Sequence, residues 1–294
     1  MTDDEAWFAA LDGDSDGDSD PAVAAVREGT APAPADWPGR AVAAGVADDG
    51  AAYYDRLHEA TVAAAREAAR EAGRADDRQL VHAVRARDDA ERTANELAER
   101  VAEWGESRRD GEDATGVEYA RTLAATEPSD PTERRLVALA ARVVDLADEA
   151  DALRRFLERR TPEVAPNLAA LAGPVLAARL ISLAGGLESL AKKPSGTVQV
   201  LGAEDALFAH LRGHAPSPKH GVIYTHEYVH GTREADRGSA ARALAGKLAI
   251  AARIDHYSGD RRPELEAELT ERMERIRARA DDDVDAESGG EGDE

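Results

Sequence analysis

The sequence predicts a mainly α protein, with a coiled-coil helical hairpin followed by an all-helical domain. Three observations carry this. Two stretches of about 30 residues, 76–104 and 129–160, repeat apolar or small residues at three-to-four spacing. The residues after them fall into further helical runs, about 168–191, 202–212, 236–255 and 263–280. The β-prone runs, Thr197–Leu201 and Gly221–Tyr224, are too few for a sheet core.

Residues 1–50 carry little structural signal, and residues 1–75 are read as a short, reduced N-terminal segment. The run Asp12–Asp20 superficially resembles a calcium loop, but no glutamate follows at the required position, so it reads as a solvated linker. Ala31–Pro38 reads as an extended connector. Trp7, Phe8 and Leu11 are the residues there that could pack. Ala51–Gly73 is alanine-rich without internal Gly or Pro and predicts a helix. Asp76-Asp77 then starts the first hairpin helix, with Leu80, Ala83, Ala90, Ala94, Leu97, Val101 and Trp104 on one stripe that Arg87 interrupts. A polar break containing Gly111 follows.

The second hairpin helix is announced by Ser129-Asp130-Pro131-Thr132-Glu133, which combines an N-cap, a first-turn proline and early acid. Leu136, Leu139, Val143, Leu146, Ala150, Leu153 and Leu157 sustain a heptad along it. Each helix would be about 45 Å long. Periodicity alone leaves open a helical bundle or a protruding coiled coil. Thr161-Pro162 and Pro166 end the hairpin. The domain segments are thus 76–160 and 161–280, and 281–294, with eight acids and no base, reads as a disordered tail.

A length of 294 residues allows about two domains. The absence of cysteine excludes disulfides and thiolate catalysis. No apolar run approaches the roughly 20 residues of a membrane helix, and acid stands where a signal peptide needs base, so a cytoplasmic location is expected. The formal net charge is −22, with 33 arginines to four lysines, a composition suited to a high-salt cytoplasm. At about 1 M salt the Debye length is about 3 Å, so recognition there depends on close contact rather than steering.

Thr161–Asp260 escapes the acidity, with ten basic against nine acidic residues and all four lysines, Lys192, Lys193, Lys219 and Lys247. A surface kept free of acid in an acidic protein points to a polyanion. Five of the eight histidines lie at 210, 214, 220, 226 and 230. His210 and His214 have the i, i+4 spacing of a metal pair, but His-Leu-Arg-Gly-His lacks the HExxH glutamate, and Gly213 is expected to end the helix between them. His220 and His226 are the better candidates for stacking on bases or donating to phosphates. Gly202-Ala203-Glu204 opens a helix whose free N–H groups could meet a phosphate, or whose small residues simply allow close packing. Lys192-Lys193-Pro194-Ser195 is a basic turn. Arg179, in an apolar run, is expected to pair internally. No Gly-rich phosphate loop, Ser/His/Asp set or S-adenosylmethionine fold is visible, so no enzyme activity and no cofactor are expected.

Leu201-Gly202-Ala203-Glu204, Ala206-Leu207-Phe208 and Pro218-Lys219-His220-Gly221-Val222-Ile223-Tyr224 occur in order. Ala165-Pro166-Asn167-Leu168 precedes them and Ala243-Leu244-Ala245-Gly246-Lys247-Leu248-Ala249 follows. Together they resemble the signature of the NOP-domain family, in particular the archaeal fibrillarin-associated scaffolds of box C/D ribonucleoproteins, over roughly residues 76 to 280. The resemblance implies a non-catalytic scaffold that binds box C/D guide RNA at its kink-turn together with the ribosomal-type protein bound there. It implies a homodimer through the coiled coil, with Leu136, Leu139, Val143, Leu146 and Leu153 on the seam. It implies that the N-terminal segment holds fibrillarin, which methylates the ribose 2′-hydroxyl, although family members carry a larger mixed α/β domain there. RNA contacts would fall to Lys192, Lys193, Gly202, Ala203, Glu204, Arg212, Lys219, His220, Gly221, Tyr224 and His226. Members usually carry lysine at the position of Asp205, and Gln and Pro at those of Thr225 and Glu227. The competing classes are a coiled-coil assembly protein without RNA binding and a metal-dependent RNA hydrolase built on the histidines.

The salt reading predicts a melting midpoint that rises with KCl concentration; maximal stability in low salt would contradict it.

Overall fold

The computed structural model describes Phe8 and residues 21–28, 35–108 and 115–288. Among them are fourteen α-helices and no strand, as the mainly α reading expects. Trp7, Leu11, the run Asp12–Asp20, the first part of the Ala31–Pro38 connector, Gly111 and the last six residues of the acidic tail lie outside the described residues. The chain forms two compact units, Met1–Ala75 and Asp76–Glu294.

The first unit holds α1 (Pro21–Glu28), α2 (Trp37–Ala43) and α3 (Gly50–Arg74). Part of the expected connector is therefore helical. Asp36 caps α2 by accepting the Gly39 N–H at 3.1 Å, and a proline in the first turn needs no N–H partner. Asp49 caps α3 likewise, accepting the Ala52 N–H at 2.8 Å. Phe8, Ala41, Val46, Ala47 and Tyr53 form a small core, with Phe8 edge-on to Trp37 at 6.5 Å. Arg27 of α1 pairs with Glu71 of α3 at 2.6 Å.

The second unit begins with the hairpin, α4 (Asp76–Glu106) and α6 (Pro131–Val164). Asp130 accepts from Thr132 and Glu133 at 2.7 and 2.9 Å, and the Glu133 carboxylate reaches back to the Ser129 N–H at 2.7 Å, so the start signal works reciprocally. A further helix, α5 (Gly116–Ala124), lies where only a polar break was expected. Its Tyr119, Ala120 and Leu123 pack between Ala98 and Val101 of α4 and Leu136, Ala140 and Val143 of α6. Tyr119 crosses so close to Gly105 that a Cβ there would meet its hydroxyl at 2.1 Å. Pro162 does not end α6, which runs on to Val164. Near a helix end the missing N–H costs one hydrogen bond, and the last turn still closes, Ala165 N–H to the Thr161 carbonyl at 2.8 Å. The Thr161 hydroxyl beside it is buried without a hydrogen-bond partner among the described residues.

The rest of the unit is short helices around one long one. The run expected as one helix over 168–191 is three: α7 (Pro166–Ala172), α8 (Pro174–Ala184) and α9 (Leu187–Ala191). Gly173 and Gly185 sit at φ +77° and +89°, outside helical space, and α7 and α8 are bent by 116°. The β-prone runs become α10 (Ser195–Val200) and a 3₁₀ turn (Val222–Thr225). Then come α11 (Glu204–Leu211), α12 (Glu227–His230), α13 (Arg237–Tyr257) and α14 (Glu264–Ser288). The backbone of α14 stays helical to Ser288, eight residues into the expected disordered tail. Helix α13 is the hub, with Ala240, Ala241, Leu244, Ala245, Leu248, Ala249, Ala251 and Ala252 all buried. Its alanines let several helices approach at once. Leu80, Val84 and Leu157, at the base of the hairpin, belong to the same core. No single helix among the described residues is long and apolar enough to cross a membrane.

Two carboxylates fasten these pieces from a distance. Asp77 of α4 accepts the Leu187 N–H at the start of α9 at 2.8 Å. Asp255 of α13 accepts Asn167 N–H and Nδ2–H at 3.0 and 2.6 Å on one oxygen and Leu168 N–H at 2.9 Å on the other. Helix α7 has no side-chain cap of its own, so Asp255 acts as one across 88 residues. Burial pushes its carboxyl above the usual range, against the pull of these donors. Replacing Asp255 by Ala should cost about 3 kcal/mol or more, because buried donors are left unsatisfied; a urea midpoint equal to wild type would show the cap to be dispensable.

Candidate nucleic-acid interface

The sequence segments around Gly202 and Lys219 lie side by side. The Gly221 N–H donates to the Gln199 carbonyl and the Val222 N–H to the Leu201 carbonyl, both at 2.8 Å, and Gln199 Nε2–H donates to the Lys219 carbonyl at 2.7 Å. Only glycine fits at 221, where a Cβ would lie 2.1 Å from the Leu201 carbonyl oxygen. These contacts fix the loop chiefly through main chain and one amide, and they leave the Lys219 side chain exposed.

An aromatic cluster sits on this loop. The rings of His220 and Tyr224 stack at 4.6 Å and 22°, His230 meets Tyr224 edge-on at 6.5 Å, and the Arg237 guanidinium lies 5.7 Å from the Tyr224 centroid. Tyr224 and Lys219 are exposed. Burial, with Arg237 and Lys219 nearby, lowers the His220 pKa, which favours a neutral imidazole in the stack. A stacked pair beside two cations offers a π-face to a base and hydrogen bonds to a phosphate. His230 was read only as one of the histidine group and Arg237 was not singled out, since no local period links them to Tyr224.

Helix α11 starts just beyond Gly202, which lies against Val222 of this loop, and it buries none of its residues. Phe208 and Leu211 are 56% and 70% exposed. The expected phosphate site at its N-terminus is different from the reading. The Glu204 carboxylate accepts the Gly202 N–H at 2.8 Å, and Glu204 and Asp205 already complement the first turn. A phosphate would have to displace Glu204. Ala203 is the N-cap residue, half-buried, and Arg212 is exposed at the other end of the helix.

His226 has no free nitrogen. Its Nδ1 accepts the Tyr228 N–H at 3.1 Å, which leaves Nε2–H to donate to the Leu171 carbonyl at 3.0 Å. It positions the turn and is not available to RNA as assigned. Lys192 pairs with Glu188 at 2.6 Å, and the Lys193 carbonyl accepts from Arg253 at 3.2 Å. Arg253 and Arg237 are sixteen residues apart on α13, about 24 Å, so the two lysines stand well away from the Tyr224 cluster. Arg179 is exposed rather than buried, 3.9 Å from Asp88. Gly213, at φ +77°, follows the end of α11, so His210 and His214 do not share a helix face. Among the described residues no group of three His, Cys, Asp or Glu could hold a metal. On the hairpin, Leu136 and Val143 are buried within this chain, whereas Leu139, Leu146 and Leu153 are half-buried.

Burial lowers the His226 pKa below its ordinary value. The unfolded chain takes up this proton near pH 6.5 and the folded chain only below it, so stability is lost as pH falls from about 6.5 through the folded value. The melting midpoint of wild type should therefore drop more steeply between about pH 7 and 5.5 than that of His226→Gln. Parallel profiles would show that His226 does not titrate in this way.

Residues 76–278 match the model of the Nop family, described as snoRNA binding domain, fibrillarin. An uncharacterized NOP5 family protein of Methanocaldococcus jannaschii is 51% identical over 142 residues, 48% of this chain and 34% of that protein. Nucleolar protein 58 of Debaryomyces hansenii is 41% identical over 142 residues, 48% of this chain and 28% of its own. The chain thus matches about a third of the length of these curated relatives. The crystal structure of a fibrillarin/Nop5p complex aligns with a TM-score of 0.52 and 26% identity, covering 92% of this chain and 98% of that one. With the family's model matched from 76 to 278, more than half of its length, the chain belongs to the Nop family.

Proposed function

We propose that the chain is the scaffold subunit of a box C/D guide ribonucleoprotein. The observation that carries this is the pairing of α11, which buries nothing, with a loop that leaves the Lys219 side chain exposed. A helix that leaves Phe208 and Leu211 in water is explained by a partner surface. A neighbouring loop with a free lysine and a stacked His–Tyr pair suits RNA. Together they fit a composite partner, kink-turn RNA with a protein already bound to it. The hairpin joins two copies through Leu139, Leu146 and Leu153, the seam residues left partly uncovered. The Met1–Ala75 unit docks fibrillarin, which carries out ribose 2′-O-methylation, and the chain itself is non-catalytic.

A second reading, an assembly protein that does not touch RNA, is favoured by the carboxylates of Glu204 and Asp205 at the mouth of α11. One assay separates the two. Lys219→Ala with His220→Ala should weaken assembly on kink-turn RNA and its bound protein, since a lost charged hydrogen bond is worth roughly 1.5–3 kcal/mol, about tenfold or more in affinity. Gel shift measures this, with circular dichroism confirming the fold. Unchanged affinity would remove the loop from the interface, and absence of binding by wild type would favour the second reading.

A further inference from the structure

A groove of about 610 Å³ runs between α13 and α14. Arg242 and Lys247 line it from α13, Arg272 and Arg275 from α14, and Glu268 and Glu271 are its only acids. Lys247 pairs with Glu268, and Arg275 lies 3.7 Å from Glu271. Arg242 and Arg272 are exposed and have no carboxylate partner among the described residues. Two unneutralised guanidiniums therefore face one groove in a chain of net charge −22. Gly246 lies on its floor, in the middle of a 21-residue helix, and a Cβ added there would meet nothing within 4 Å. Glycine is the least favourable helix residue after proline, and here packing does not require it. Its effect is to let a ligand approach the helix backbone.

We propose that this groove binds the sugar–phosphate backbone of an RNA strand, with Arg242 and Arg272 on successive phosphates. Planar guanidinium forks suit phosphate oxygens and keep their value at short range where salt cancels steering. Among the described residues its lining has no aromatic side chain and no amide, and with both guanidiniums engaged on phosphates binding is expected to depend little on base sequence. The glutamates can accept a ribose 2′-hydroxyl, which favours RNA over DNA. An acidic peptide would satisfy the arginines but would set its carboxylates against Glu268 and Glu271. The site is separate from the Tyr224 cluster. Arg242 is five residues beyond Arg237, about 140° around α13, and Gly246 is about 180° around it.

The proposal rests on the reading of the chain as RNA-binding, and the test keeps the two apart. The full chain is titrated by fluorescence anisotropy with a short labelled oligouridylate over a range of KCl. Arg242→Ala with Arg272→Ala should weaken binding about tenfold or more and reduce the slope of log affinity against log salt by about 1.4. Lys at both positions should restore the slope and only part of the affinity, and the matching deoxy oligonucleotide should bind more weakly. Unchanged oligouridylate binding in the double Ala variant, or no binding by wild type, overturns the groove. Stronger competition by poly-glutamate than by RNA of equal charge overturns it in favour of an acidic peptide. Assembly on kink-turn RNA with its bound protein, measured in parallel on wild type and the Lys219/His220 variant, reports on the scaffold reading independently.

Discussion

Helix α7 begins inside the protein with no residue of its own to close its first turn, and everything around the interface depends on how that turn is closed. Asp255 donates the missing acceptor from the far end of α13. Asn167, held on the same carboxylate, also bonds the Asp260 carbonyl and the Arg262 N–H at 2.8 and 2.7 Å, so the entry to α14 is tied to the same point. Fixing α7 fixes the Leu171 carbonyl, which holds His226. His226 in turn caps α12 and ends the 3₁₀ turn that carries Tyr224. A buried carboxylate thereby sets the position of an exposed ring through four successive contacts.

Much of this was open to a reader of the sequence, and the division follows the range of the interactions. The start of α6 was legible because Ser129, Asp130 and Glu133 bond only to one another and their own first turn. The heptad was legible as a stripe but not as a partner choice. Leu136 and Val143 pack on α4 and α5, and α5 itself sits in a stretch whose short length hides its period. Val198 and Ile223 look like strand residues because they are β-branched, yet they are buried as single turns of helix against α13. In the candidate site, the 202 and 219 segments were legible as motifs, but their adjacency was not. Nor was the occupation of the Gly202 N–H by Glu204, or of both His226 nitrogens. These are hydrogen bonds whose partners are set by tertiary placement.

The charges follow the same rule of short range. Many ion pairs are contacts between arginine and a carboxylate three or four residues away, such as Arg142–Asp145 and Arg154–Glu158. Each contributes little on its own. Other pairs join distant segments, Arg160 of α6 to Asp76 of α4 and Arg121 of α5 to Asp148 of α6. Arg242 and Arg272 are informative not because they are unpaired, which many exposed arginines are, but because both face one groove.

The backbone staples of the 218–222 loop separate shape from identity. Gly221 and Val222 are held through main-chain groups that every amino acid possesses, and the one side chain involved, Gln199, lies on another segment. Residue 219 can consequently be exchanged during evolution with little penalty to the loop's backbone, while the glycine at 221 cannot. Such a loop is a socket for inherited variation, a place where descendants of one fold can acquire different ligands by point changes. It is equally a natural grafting position for an engineer who wants a new recognition surface without redesigning the scaffold beneath it.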